Sequence, residues 1–249
     1  MRVMACLSYV PDTAARPRIA PDGRQIDRTG IKFIMNPYDE YALEEALRVR
    51  ERFGGEVLAV CVGPEAATEI LRTALALGVD RALLVRDDWT LDSFGVATAL
   101  AHVARQYQPE LILMGRQSID FDSFQMASAV GELLGYPSVS VVSRLTIAED
   151  GSVEVDRDIE GGKEVVQTRL PCVISVQKGI NEPRYPKLPD IIKAKAKPIE
   201  SIEPPLVEPL SDIVSMELPQ RHRAGKILGS SDAELDELIR LLHEEAKVI

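Results

Sequence analysis

Short runs of β-branched and other apolar residues alternate with stretches of helical periodicity, and that alternation constrains this chain more than any other feature. Val3 to Val10, Val57 to Val62, Ala82 to Val85 and Leu111 to Met114 have the length and composition of buried strands. Between them lie segments long enough to form helices, and a parallel strand pair needs a crossover of that kind. Successive units of this type build a parallel sheet with helices on its faces.

The predicted fold class is therefore α/β, a Rossmann-like, mostly parallel sheet flanked by helices. Local punctuation supports the spacing. Asn36-Pro37 opens a helix, because Asn36 can cap free amides and Pro37 suits the first helical position, where its missing N–H costs nothing. Ala42, Leu43, Ala46, Leu47 and Phe53 share one face of that helix, and Gly54-Gly55 stops it. Helices are expected over Glu65 to Leu77, Phe94 to Tyr107 and about Ser123 to Leu134. Later strands are expected near Val139 to Leu145, Val153 to Asp156, Glu164 to Thr168 and Cys172 to Gln177. Arg16 to Ile26, with Asp22-Gly23 near its centre, reads as a surface hairpin.

After Gly179 the texture changes. Prolines recur at 183, 186, 189, 198, 204, 205, 209 and 219, which is unusual inside a compact domain. The expected division is an α/β nucleotide-binding domain over 1–182 and an extended C-terminal arm over 183–249. The arm ends in an amphipathic helix, with a capping box at Ser231 and Glu234 and a stripe of Leu235, Leu238, Ile239 and Leu242. That stripe has two possible beds, this chain's own core or another subunit.

Composition excludes several classes. Lys and Arg number 29 against 39 Asp and Glu, a net charge of −10, so the basic footprint of a nucleic-acid binder is missing. No apolar run approaches the roughly 20 residues of a membrane span, so direct membrane insertion is not expected. The first apolar run ends at Pro11-Asp12 without a small-residue cleavage pattern, so it reads as a strand rather than a leader. Cys6, Cys61 and Cys172 lie far apart in apolar runs and predict buried thiols in a reducing, cytoplasmic setting. His102, His222 and His243 share no metal-ligand spacing.

Ligands of open parallel sheets bind outside the carboxyl ends of the strands. The loop after Met114 is the strongest candidate. Gly115 lets backbone approach a ligand closely, and the helix that follows offers free amides to a phosphate. The plain alternative is that Asp122 and Gln125 simply cap that helix. GxGxxG and GxxxxGK[ST] are absent, as are SGGxDS, HIGH and KMSKS elements and a GxSxG elbow. No nucleophile sits beside a base in any recognisable pattern, so no catalytic residue is expected.

Four stretches carry a specific resemblance. Asn36 to Ala46 reads NPYDEYALEEA, Leu71 to Gly78 reads LRTALALG, Gly115 to Asp120 reads GRQSID, and Leu170 to Lys197 reads LPCVISVQKGINEPRYPKLPDIIKAKAK. Together they resemble the β subunits of electron transfer flavoproteins, and the last contains the family signature NEPRYPxLxxIxKAKxK. The resemblance runs from the first strand to about Glu200. It implies a heterodimer with a larger α subunit that holds most of an electron-carrying FAD, and an AMP without redox role in the β subunit.

By position, the resemblance assigns the AMP contacts to Cys6, Asn36, Pro37, Tyr38, Asp39 and Val62, with mainly backbone contacts at Cys6 and Val62. The remainder come from Gly115, Arg116, Gln117, Ser118, Ile119, Asp120, Phe121, Asp122, Ser123, Phe124, Gln125 and Met126. Where family members carry Thr or Val and then Gly after the glutamine, this chain has Met126 and Ala127, so a threonine hydroxyl is replaced and the helix amides remain. Asp158 aligns with an acidic residue near the α-subunit flavin. Leu188 aligns with the apolar anchor of a recognition loop, flanked by Tyr185 and Ile191, that docks acyl-CoA and related dehydrogenases. A quinone oxidoreductase is the implied electron acceptor. Lys193, Lys195 and Lys197 read as a solvated basic edge. Two rivals stay open: a bifurcating subunit with a second FAD and NADH at the β site, and a stand-alone adenine-nucleotide sensor.

Overall fold

A computed structural model describes residues 1–219 and 225–249; His222 lies outside the described residues. Along the chain the elements are β1 (Arg2–Leu7), β2 (Tyr9–Pro11), β3 (Arg18–Ile19), β4 (Ile26–Asp27), β5 (Phe33–Met35), α1 (Pro37–Phe53), β6 (Glu56–Gly63), α2 (Thr68–Leu77), β7 (Arg81–Arg86), α3 (Ser93–Tyr107), β8 (Leu111–Gly115) and α4 (Met126–Leu134). They continue as β9 (Ser138–Ile147), β10 (Ser152–Ile159), β11 (Gly162–Arg169), β12 (Cys172–Val176), α5 (Leu188–Ala196), β13 (Glu200–Ile202) and α6 (Asp232–Arg240), the last followed by a π-helical turn over Leu241–Glu245.

The main sheet has nine strands in the order β11-β10-β9-β12-β8-β1-β6-β7-β13. All neighbours from β9 to β13 pair in parallel, while β10 runs antiparallel to both β9 and β11. The α/β expectation is met. The chain builds β1, β6 and β7 outward in one direction, then returns to place β8 on the other side of β1. Strand order therefore reverses between β1 and β8, the kind of switch point at which open α/β sheets form a ligand crevice outside the carboxyl ends of the strands.

Helices cover both faces. One apolar cluster joins the sheet to α1, α2 and α5, and a second joins its opposite face to α3 and α4. Ala42, Leu43, Ala46 and Leu47 of α1 are fully buried, as their spacing predicts. Pro37 occupies the first turn, and α1 ends at Gly54 with a positive φ of 70°. At Gly55 a side chain is impossible, because a Cβ there would lie 2.0 Å from the Met1 carbonyl oxygen. The hairpin expected at 16–26 forms as β3 and β4.

Three differences from the sequence reading have a physical cause in the structure. The first strand ends at Leu7, because the Ser8 amide is drawn to the Asp39 carboxylate at 2.7 Å and the chain turns off to pair β2 with β5. The helix expected from Ser123 starts at Met126, because Asp122 and Phe124 take left-handed backbone angles with φ of 50° and 54°. Finally, the proline-rich stretch conceals a helix and a strand. α5 packs on α2, with Ala194 buried, and Arg72 donates to the carbonyls of Ala194 at 2.7 Å and Lys197 at 2.5 Å. β13 then adds to the sheet beside β7. Prolines at the first turn and just past the end of α5 frame the helix rather than prevent it. Lys197 is no solvated edge, since its ammonium donates to the Val79 carbonyl at 3.1 Å.

Beyond β13 the chain is tied to the body at several described points, among them ion pairs of Glu203 with Arg86 and of Asp212 with Arg24. The Asp92 carboxylate accepts from the amides of Leu210 and Ser211, and the Met216 amide donates to the Gly23 carbonyl. The Ser231–Glu234 capping box forms at α6, and its Leu235, Leu238 and Ile239 are exposed with no buried residue in the helix. The stripe therefore does not pack on this chain's own core. No described helix is long and apolar enough to cross a membrane.

Candidate functional site

The crevice between β1 and β8 is organised by α1. Asn36, expected to cap the helix, does not bond its amides. Its side chain crosses to the β8 loop instead, donating to the Gln117 carbonyl at 2.8 Å and accepting from the Ile119 amide at 3.3 Å. Asp39, in the first turn of α1, accepts from the Ser8 amide at 2.7 Å and the Gly115 amide at 3.0 Å. It is only 3% exposed. Burial pushes its carboxyl up to about 7, against the opposing pull of hydrogen bonds from Asn36, Ser8 and Gly115. Two polar side chains at one helix start thus fasten the ends of β1 and β8.

Gly115 has a steric reason. A Cβ there would lie 2.5 Å from Asp39 Oδ1 and 2.6 Å from Tyr38 Cβ, so a side chain would collide with the first turn of α1. Next to it the Arg116 guanidinium lies between two rings, 4.8 Å from the Tyr38 centroid and 5.0 Å from that of Phe124, and donates to the Tyr38 hydroxyl at 3.1 Å. This sandwich has no signature in spacing, because Tyr38 and Phe124 are far apart in sequence.

The loop itself is open. Asp120, Phe121, Asp122, Ser123, Phe124 and Gln125 are exposed, and Ser118 and Ile119 are half-buried. Asp122 does not cap α4; it is held by the Gln117 amide nitrogen, and the helix start at Gln125 has no side-chain cap. The first amides of α4, at Met126 and Ala127, therefore face no side-chain acceptor, an arrangement suited to an anion. Two buried polar atoms in this loop, Arg116 Nε and Gln117 Oε1, have no hydrogen-bond partner among the described residues. A buried unpaired donor and a buried unpaired acceptor on consecutive residues call for polar ligands or water. These residues fit a nucleotide phosphate and its polar neighbours.

Cys6 and Val62 lie at the carboxyl ends of β1 and β6, on the same edge. Burial pushes the Cys6 thiol up, with Asp39 and Cys61 adding to it. Burial likewise pushes Cys61 and Cys172 up to about 12. All three thiols are therefore protonated and buried, as their apolar settings predict.

The structure does not gather every candidate into one place. Asp158 sits on the β10–β11 hairpin, separated from β8 by β9 and β12. It accepts from the Ser143 hydroxyl at 2.9 Å and pairs with Lys163 at 3.5 Å. Tyr185, Leu188 and Ile191 form a third location around the start of α5, at 91%, 70% and 37% exposure. Leu188 is the first residue of that helix, not part of an irregular loop. Sequence reading also missed what supports it: Arg184, which binds Glu44 and Glu51 of α1. A glutamate pair two turns apart on one helix face is a visible pattern, but its arginine partner more than 130 residues later is not.

Among known proteins, the family model for the electron transfer flavoprotein domain matches residues 24–207. The electron transfer flavoprotein subunit beta of Bacillus subtilis is 40% identical over 243 residues, covering 93% of this chain and 94% of that protein. The mitochondrial subunit beta of Arabidopsis thaliana is 37% identical, with both chains covered completely. The human subunit beta is also 37% identical, over 97% of this chain and 99% of its own length. With matches of that extent spanning the sheet, the crevice and the arm, the chain belongs to the electron transfer flavoprotein β-subunit family.

Proposed function

We propose that this chain pairs with an α subunit, binds AMP in the β1–β8 crevice as a structural ligand, and docks dehydrogenases through the start of α5. In this reading FAD, held mainly by the α subunit, supplies the electron chemistry that carries reducing equivalents toward a quinone-linked chain. The observation that carries the AMP assignment is the pair of unpartnered buried atoms, Arg116 Nε and Gln117 Oε1, in the loop that leads to the uncapped start of α4. The helix amides hold the phosphate, and Asn36 and Asp39 fasten the strand ends that frame it. The protein's own groups support a non-catalytic role: its thiols are buried and protonated, and Asp39 is engaged by two backbone amides.

Residues 183–249 provide the docking segment and an arm that packs on the partner subunit. The exposed apolar residues Leu206, Leu210, Ile213, Val214 and Leu218, with the stripe of α6, are the surface such packing covers. Asp158, on its hairpin, faces the flavin side of that interface.

Mass spectrometry of nucleotides released from the co-purified heterodimer, with flavin quantified by absorbance against protein, tests the ligand assignment. The expected result is one AMP and one FAD per heterodimer. Two FAD and no AMP would transfer the chain to the bifurcating reading.

A further inference from the structure

After β12 the chain crosses the middle of α1 before reaching the docking residues, and polar contacts fix that crossing. The Asn181 side chain donates to the Tyr41 carbonyl at 3.0 Å and to Glu45 at 2.9 Å. Three residues on, Arg184 spreads over two carboxylates. Its Nε and one terminal nitrogen reach Glu44 at 2.8 and 3.1 Å, and its terminal nitrogens reach Glu51 at 2.6 and 3.2 Å. The Arg184 amide also donates to Glu44, at 3.2 Å. Glu44 is only 4% exposed and is shared with Arg48 at 2.7 Å.

The arrangement is directional as well as attractive. Glu44 and Glu51 lie two turns apart on one face of α1, and a planar guanidinium meeting both carboxylates has its orientation fixed, which a lysine ammonium cannot reproduce. The far end of α5 is already held, through the bonds from Arg72 to Ala194 and Lys197. The near end, where Tyr185 and Leu188 stand exposed, has no comparable burial of its own. Arg184 is the strong tether immediately before it.

We propose that Arg184, clamped by Glu44 and Glu51 of α1, is a positioning residue that sets the direction in which Leu188 is presented to an apolar pocket on a dehydrogenase. This inference rests on the docking role given to Leu188. Arg184 does not touch the partner; it removes the freedom that Leu188 would otherwise lose on binding.

The test uses the flavin-loaded heterodimer carrying Arg184→Ala, Arg184→Lys or Glu51→Gln, with Leu188→Ala alone and combined with Arg184→Ala. Each is titrated against the dehydrogenase by electron-transfer rate, and amide exchange is followed across residues 185–192. Arg184→Ala is expected to weaken docking roughly 10-fold, a loss comparable to a single anchor contact, and to speed exchange in that segment. Arg184→Lys recovers only part of both effects. Glu51→Gln, which alters a half-exposed partner and leaves Glu44 paired, shifts both in the same direction by less. In the double variant, Leu188→Ala costs less than it does alone, because the two residues act through one placement. Wild-type exchange and affinity in both Arg184→Lys and Glu51→Gln, or additive losses in the double variant, overturn the inference. Leu188→Ala without effect on affinity overturns the docking role itself, whereas an intact Leu188 effect with unchanged exchange overturns the clamp alone.

Discussion

Asp39 accepts from the Ser8 amide at the end of β1 and the Gly115 amide at the end of β8, so one carboxylate spans the crevice where strand order reverses. Its folded value of about 7 lies above the 3.8 of an ordinary aspartate. Between those two values the folded chain holds a proton that the unfolded chain has released. Stability from this group therefore declines as pH rises from about 4 to about 7 and levels off above that. Asp39→Asn keeps the size but turns an NH₂ toward one of two backbone donors. It is expected to cost about 1–3 kcal/mol, the penalty of a buried unpaired group, and to remove that part of the pH slope. Urea unfolding midpoints measured across this pH range check both; an unchanged slope in the variant would refute the assignment to Asp39. Sequence alone marked Asn36 and Asp39 as site residues only through resemblance. Read from the residues, Asn36 was a helix cap, because propensity describes local bonds and its real partners, Gln117 and Ile119, lie more than 80 residues away.

Elements that announce themselves by period were legible, and those whose ends depend on distant partners were not. The alternation of β6, α2, β7, α3 and β8 followed directly from apolar spacing. The start of α4 did not, since left-handed angles at Asp122 and Phe124 extend the loop past the expected cap. α5 and β13 were hidden for a related reason: prolines suggest irregular chain, yet they stand only at positions a helix tolerates. Asp92 shows how one residue joins two elements. Its Oδ1 caps α3 through the Gly95 amide at 2.8 Å, while Oδ2 accepts from Leu210, from Ser211 and from the Ser211 hydroxyl. Those bonds outweigh burial and hold its carboxyl below the usual 3.8. The contribution is therefore present above that value and is lost as pH falls below it. Asp92→Asn keeps the cap through its amide oxygen but opposes three donors with an NH₂. Proteolysis within residues 203–218 is expected to quicken several-fold while helix content stays constant, as followed by limited digestion and circular dichroism. Loss of helix without faster cleavage would contradict this division of labour.

At the scale of the whole molecule, three regions are spatially distinct: the crevice at β1 and β8, the Asp158 hairpin beyond β9, and the exposed apolar start of α5 proposed as the docking face. The resemblance named residues in all three, but their separation became visible only with the sheet order, because strand sequence and strand neighbourhood diverge where β8 crosses to the far side of β1. In the proposed function that separation makes the chain a carrier subunit whose partner docking is independent of the ligands it helps to hold. Titrating a Leu188→Ala heterodimer against its dehydrogenase, while recording flavin spectrum, AMP content and melting temperature, tests it most directly. Truncating a 70%-exposed anchor is expected to lower partner affinity by about 1–3 kcal/mol, with flavin, AMP and melting temperature at wild-type values. Wild-type electron transfer, or loss of flavin or AMP in place of affinity, would contradict it.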